Sequence, residues 1–399
     1  MLDPLPPWAN DAPASTVLAA LGPDARFVGG CVRDALIGAV PVDIDIGVPY
    51  PPEDTIAKLT AAKLRAIPTG IEHGTVTALS GKAKYEITSL RRDVETFGRH
   101  ARVAFDADWR EDAARRDFTI NALSLDQAGA LHDYFDGRAD LEAGRVRFIG
   151  DAATRIREDV LRILRFFRFH ARFARGDFDG ASLAACRDGA ALLPNLSAER
   201  VCAEMFRLLA GPNAASMLAA MRDARLLAHW LPEADEAGIA HIAALDALET
   251  KLGVAAADPI RRLACFALDA REFARRWRLS NAQAARLERF IRPPARIEAG
   301  LDAAALSRVF YWLGDDLRDR ALIDAALFAD PAQAVAVFAA AKDWVRPEFP
   351  IGGEDLRAAG VAPGPAMGNA LRAAERAWVD SNFSLSKENL LARAAKNEP

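Results

Sequence analysis

The chain has 399 residues, 51% of them hydrophobic and 27% charged, and a formal net charge of −4. That length exceeds what one hydrophobic core serves, so two or more domains are expected, and the slight acidity excludes a surface that is basic overall. No run of about 18 apolar residues is available to span a membrane, and the opening MLDPLPPWANDAP lacks the basic-then-apolar plan of a secretory leader. A cytoplasmic protein with no membrane partner is therefore expected. Its four cysteines, Cys31, Cys186, Cys202 and Cys265, lack CxxC spacing and read as small apolar residues rather than a zinc site or disulfide framework.

Before about residue 150, valine, isoleucine and threonine gather in short runs such as HGTVTALS and KYEITSL, which read as strands of a domain mixing sheet and helix. Within it, FVGGCVRDALIGAVPVDIDIGV (27–48) concentrates unusual chemistry. Gly29-Gly30 ahead of a helix near Cys31 would let phosphate approach the backbone, and Arg33 one turn along adds a guanidinium. On a strand, Asp43 and Asp45 would share one face, and two such carboxylates suit Mg²⁺, which takes oxygen ligands, water and substrate phosphates. The alternative is a pair of exposed aspartates at a strand end.

These residues carry a resemblance. GGCVRD followed by DID is similar to the signature of the polymerase-β-like nucleotidyltransferases, specifically the bacterial-type (class II) CCA-adding enzymes and their poly(A) polymerase relatives. Further blocks extend it along the chain: RRDFTINAL (115–123), DYFDG with Asp140-Leu141, EDVLRILR (158–165), LSAER (196–200) and the tail FPIGGEDLRAAGVAPGPAMGNALRAAERAW. The resemblance implies an α+β chain: a nucleotidyltransferase head with a mixed sheet (1–140), neck helices reading the nucleobase (141–205), a helical body (206–325) and a helical tail gripping tRNA (326–399). It implies catalysis and Mg²⁺ binding by Asp43 and Asp45. Nucleotide contacts would come from Gly29, Gly30, Arg33, Arg116, Asp117, Asn121, Asp159, Arg162, Arg165 and Arg168. Glu86 and Arg91, with Asp93, match the segment around a flexible loop; Glu86 is otherwise a third carboxylate at the metal or a solvated strand end. For Arg116 the alternative is a plain salt bridge with a neighbouring acid.

Beyond Asp151 the composition turns to Ala, Leu and Arg at helical spacing, and strand-like runs disappear. The stretch Arg155 to Arg175 reads as one helix, with Val160, Ile163, Leu164, Phe167, Ala171 and Ala174 on an apolar face and Arg165, Arg168, Arg172 and Arg175 on another. Asp159 and Arg162 would neighbour each other on that helix. Their carboxylate and guanidinium complement the amino group and ring acceptor of cytosine or adenine, while a uracil or guanine carbonyl would face the carboxylate and be rejected. An intrahelical ion pair is the alternative. Ser197 is expected to cap a helix containing Arg200 and Glu204, with further breaks at 291–294, 346–353 and 363–365.

The expected activity is template-independent addition of CCA to the tRNA 3′ end from CTP and ATP, with release of pyrophosphate. Poly(A) polymerase, a CC-only or A-only enzyme, and a non-catalytic RNA-binding protein on the same fold stay open. His132-Asp133 falls in the hinge block and none of the six histidines is spaced to complete an HD phosphohydrolase site, so that domain is not expected.

Overall fold

The computed structural model describes residues 5–396 apart from 98, 99, 106, 107, 255, 256, 267, 299 and 329. The chain divides into two compact units, one of Met1–Asn213 with Ala220–Trp230, the other of Ala214–Ala219 with Leu231–Pro399.

The first unit is built on a seven-stranded sheet: β1 (Arg26–Val28), β2 (Asp45–Val48), β3 (Arg65–Gly70), β4 (Thr75–Ser80), β5 (Ala83–Ser89), β8 (Ser124–Leu125) and β9 (Leu131–His132). Their order is β3-β4-β5-β2-β1-β8-β9, with β2 parallel to β5 and the other neighbours antiparallel. A separate antiparallel ribbon pairs β6 (Arg92–Phe97) with β7 (His100–Ala104). Alternation decides which face each side chain takes: Tyr85, Ile87 and Ser89 are buried, while Lys84 and Glu86 point the other way. Helices α1 (Ala12–Leu21) and α3 (Pro52–Ala61) pack beside β4, and their apolar residues join Phe27, Ile46, Val76 and Ile87 in one core. Cys31 belongs to that core, and burial pushes its thiol up to about 11.

Asp43 departs from the sequence expectation. Only Asp45 lies on β2; Asp43 sits exposed in the bend before it, so strand alternation does not set its direction.

The unit's other helices are α2 (Gly30–Leu36) between β1 and β2, α4 (Trp109–Ala114) between β7 and β8, and, after the sheet, α5 (Gly137–Ala143), α6 (Ala152–Glu158), α7 (Arg162–Phe173), α8 (Gly180–Asp188), α9 (Ala198–Leu209) and α10 (Ala214–Asp223), the last contributing residues to both units. The single helix expected over Arg155 to Arg175 is thus two. Asp159 leaves the helical region at φ −149°, ψ 104°, and its Oδ1 accepts from the Leu161 N–H at 3.2 Å. A short carboxylate side chain offers the backbone this local alternative to the helix, which apolar periodicity does not reveal. Val160 and Ala174 are only half-buried, and Arg175 lies beyond the end of α7. At α5, the Asp133 carboxylate accepts from the N–H groups of Phe135, Gly137 and Arg138, and a Cβ on Gly137 would meet the Thr119 carbonyl at 2.2 Å.

The second unit is helical throughout among the described residues: α11 (Glu236–Lys251), α12 (Pro259–Leu263), α13 (Ala270–Arg276), α14 (Asn281–Ile291), α15 (Ala303–Leu313), α16 (Leu317–Leu327), α17 (Pro331–Lys342), α18 (Gly353–Ala358), α19 (Pro365–Asp380) and α20 (Lys387–Lys396). Asp235, Asp258, Asp269, Asp302 and Asp330 each cap a helix by accepting from its first N–H groups. The breaks read at 291–294, 346–353 and 363–365 coincide with helix ends: Ile291 is the last residue of α14, Gly353 the first of α18 and Pro365 the first of α19. No helix is long and apolar enough to cross a membrane.

Candidate active site

The site assembles around α7. Its Ile163, Leu164, Phe166, Phe167, Phe169 and Phe173 are buried, and Arg162, Arg165, Arg168 and Arg172 recur at three- and four-residue steps on the other side. Together with α2, β2 and the segment 115–121 this helix encloses a cavity of about 520 Å³. Gly29, Gly30, Arg33, Asp45, Arg116, Asp117, Asn121, Asp159, Arg162 and Arg165 all line it. Asp43, Glu86, Arg91 and Arg168 do not.

Gly29 has φ +73°, and a Cβ there would meet the Arg116 Nη1 at 2.7 Å, so glycine satisfies both the turn and the close approach. Arg116 is loosely held, at 3.4 Å from the Asn121 carbonyl and 3.3 Å from Asp112 Oδ2. The ion pair considered from sequence therefore exists but is long. Asp45 is half-buried and its neighbours are acidic: burial, then Glu86 aligned opposite it on β5 and Asp43, push its carboxyl up to about 6 against the pull of Arg116. Among the described residues neither Asp43 nor Asp45 has an ion-pair partner. Glu86 instead takes Lys84 Nζ at 2.7 Å.

Arg33, read from sequence as a phosphate ligand, is 6% exposed and committed to the protein. Its Nε and Nη2 bond to Asp34 Oδ1 at 2.9 and 2.7 Å, its Nη1 donates to Asn121, and it lies 4.2 Å over the Phe173 ring. Burial lowers its pKa, against the pull of Asp34 and with help from Arg172 and Arg168. Asp117 is equally engaged. Its Oδ1 accepts from Phe118 N at 2.8 Å and Asn121 Nδ2 at 3.0 Å, and its Oδ2 from Arg165 Nε at 2.7 Å. Burial opposes ionisation there, yet the Arg165 guanidinium and these hydrogen bonds hold the carboxyl below the usual range. The chain of contacts runs Arg165, Asp117, Asn121, Arg33, Asp34 and Arg172, beginning and ending on α7. It fastens α7 to α2 and the segment 115–121 through polar groups that burial makes costly to leave unpaired.

The remaining arginines divide similarly. Arg168 pairs with the buried Glu204 and lies 4.4 Å over Phe169, whose ring lines the cavity. Arg162 bonds to Glu158 at 2.7 Å and to the carbonyls of Arg155 and Arg115 at 3.0 and 2.9 Å, not to Asp159. The pairing of Asp159 with Arg162 along one helix is thus corrected: Asp159 takes Arg200 of α9, whose Nη2 reaches both its oxygens at 2.8 and 3.0 Å. Arg91 donates to the His73 carbonyl. The side chain of Asp93, on β6, lies outside the described residues.

Arg200, Glu204 and Asp34 had no role assigned from sequence. The signal for the first two was the four-residue spacing after Ser197, which places both on the side of α9 that meets α7. Ser197 does cap α9, but by backbone position alone, since its hydroxyl makes no capping bond.

Fold and site together define a nucleotidyltransferase head continued by helices. Residues 25–147 match the family model described as "Poly A polymerase head domain", and residues 177–237 match "Probable RNA and SrmB- binding site of polymerase A". A CCA-adding enzyme of Limosilactobacillus fermentum is 33% identical over 377 residues, covering 89% of each chain. The mitochondrial CCA tRNA nucleotidyltransferase 1 of Danio rerio is 44% identical over 198 residues, 49% of this chain and 46% of that protein, so the match spans about half the length of such relatives. The CCA-adding enzyme of Bacillus stearothermophilus in complex with CTP superposes with a TM-score of 0.71 over 97% of this chain and 98% of that one, at 27% identity. The chain belongs to the family of CCA-adding enzymes.

Proposed function

We propose that the protein adds CCA to the 3′ end of tRNA from CTP and ATP, releasing pyrophosphate. The observation that carries this reading is the single cavity lined by Gly29, Asp45, Arg116, Asp159 and Arg162, which joins a phosphate-approach turn, a carboxylate and a base-selective pair. The named relatives support it.

Asp43 and Asp45 would hold Mg²⁺. They offer oxygen donors only, and neither carboxylate has an ion-pair partner among the described residues, Arg116 and Lys84 acting on Asp45 only through space. Among the described residues no three His, Cys, Asp or Glu side chains group as a metal cluster, so water and substrate phosphates would supply the ion's other oxygen ligands. When bound, the ion supplies activation of the primer 3′-hydroxyl and neutralises phosphate charge. The turn at Gly29 leaves phosphate room to approach, and Arg116 is the loosely held guanidinium that meets it. Asp117, Asn121 and Arg33 hold the wall rather than touch the nucleotide, and Arg165 and Arg168 flank Phe169. Asp159 accepts from the amino group of cytosine or adenine. Arg162, with three hydrogen bonds made, keeps donors for the ring acceptor beside it. The helices over 206–325 and 326–399 would bind tRNA by its shape. Supplying tRNA that lacks its 3′ end with each nucleotide, separately and together, tests the reading. Three added residues support it; an ATP-only ladder would make the protein a poly(A) polymerase.

A further inference from the structure

The base-selective residue Asp159 is not part of a helix that would fix it. It sits at the junction between α6 and α7 with extended backbone, so its side-chain direction must come from elsewhere. What supplies it is Arg200: the Nη2 group spans both carboxylate oxygens, and Leu161 N holds Oδ1 from the other side. The pair is also a partition. Asp159 and Arg200 both line the 520 Å³ cavity, and both line a second cavity of about 290 Å³ bounded by Arg157, Asn195, Leu196 and Ser197.

We propose that Arg200 is a positioning residue for nucleobase selection, holding the Asp159 carboxylate toward the base and closing the cavity behind it. A carboxylate has about four lone-pair sites, so accepting from Arg200 and Leu161 leaves one for an exocyclic amino group. The same arrangement leaves no hydrogen to offer a uracil carbonyl. Without Arg200 the carboxylate rotates about χ1 and χ2, water enters from the second cavity, and an incoming carbonyl meets solvent instead of a fixed acceptor. Selection relaxes while the phosphate and hydroxyl chemistry at Gly29, Arg116 and Asp45 is untouched. The inference rests on the reading of the cavity as a CTP and ATP site.

Arg200→Ala and Arg200→Lys test it, with kcat/KM for CTP, ATP and UTP on tRNA lacking its CCA end and, independent of turnover, Kd for CTP and UTP. In the alanine variant the CTP-to-UTP preference should fall by about tenfold to a hundredfold, the range of a charge-assisted hydrogen bond. Lysine should restore part of it, since an ammonium still reaches one oxygen. An unchanged preference in both variants, or parallel loss with all three nucleotides and unequal only in Tm, overturns the proposal. If alanine prevents folding, the lysine variant decides: a preference equal to wild type overturns it, an intermediate one supports it. A wild-type protein that binds CTP no better than UTP fails the underlying reading instead, whatever Arg200 does.

Discussion

Arginine and carboxylate side chains meet in both units, but to different ends. In the second unit the pairs are closed. Arg261 takes Glu249 and Asp319, Arg286 takes Asp258 and Asp319, and Arg320 takes Asp324, with Arg261, Arg320, Glu249 and Asp324 all buried. Around α7 in the first unit some charges are left open: among the described residues Asp45 has no ion-pair partner, and Arg116 is held only at 3.3 Å and beyond. Closed networks hold helices in register, whereas open ones leave charge for a ligand to complete. Buried unpaired charge is expensive, so where the fold tolerates it a function is the physical expectation.

The contrast can be broken at its open end first. Asp45→Asn and Asp43→Asn should each abolish nucleotide incorporation, measured on tRNA lacking its 3′ end, with folding intact by circular dichroism. Next, Asp159→Ala should erase about tenfold to a hundredfold of the preference for CTP over UTP while leaving incorporation measurable. Unchanged discrimination would remove Asp159 from base selection.

Asp117→Asn probes the fastening between α7 and the head. Loss of one partner from a buried pair should cost about 3 kcal/mol in chemical denaturation at neutral pH. The folded-state pKa of Asp117 is depressed, so its stabilisation is present above the ordinary carboxylate range and lost as pH falls through that depressed value. The gap between wild type and variant should therefore close in acid, and a constant gap would contradict the account. In the closed network, Arg286→Met should cost about 1 kcal/mol, because Asp319 keeps Arg261. Smallest of all, Arg138→Ala should change stability by less than about 0.5 kcal/mol, since its pair with Glu142 is exposed.

How much of this the sequence reveals depends on whether a residue's role follows from its own position or from what it meets. The alternation of KYEITSL gives the buried face of β5, although only its register on β2 sets Glu86 beside Asp45, and the spacing of RILRFFRFHARF gives both faces of α7. Gly29 is legible because a glycine before a helix signals a special turn. By contrast, Arg33 looks like a phosphate ligand until Asp34, Asn121 and Phe173 enclose it, and Asp117 looks like a nucleotide contact until Arg165, 48 residues on, claims it. Asp159 misled for another reason: apolar periodicity continues across the junction at 159–161 although the backbone does not, because side chains of two successive helices can share one core. Arg200 was hidden by distance, 41 residues from the carboxylate that it holds.

The most direct measurement is product sizing with the wild-type protein, Mg²⁺ and a tRNA ending at the nucleotide before CCA. CTP alone should extend it by two residues and CTP with ATP by three, with UTP and GTP inert. No extension, or a long ladder from ATP, would contradict the account of the α7 cavity as a site that selects two bases and builds one short sequence.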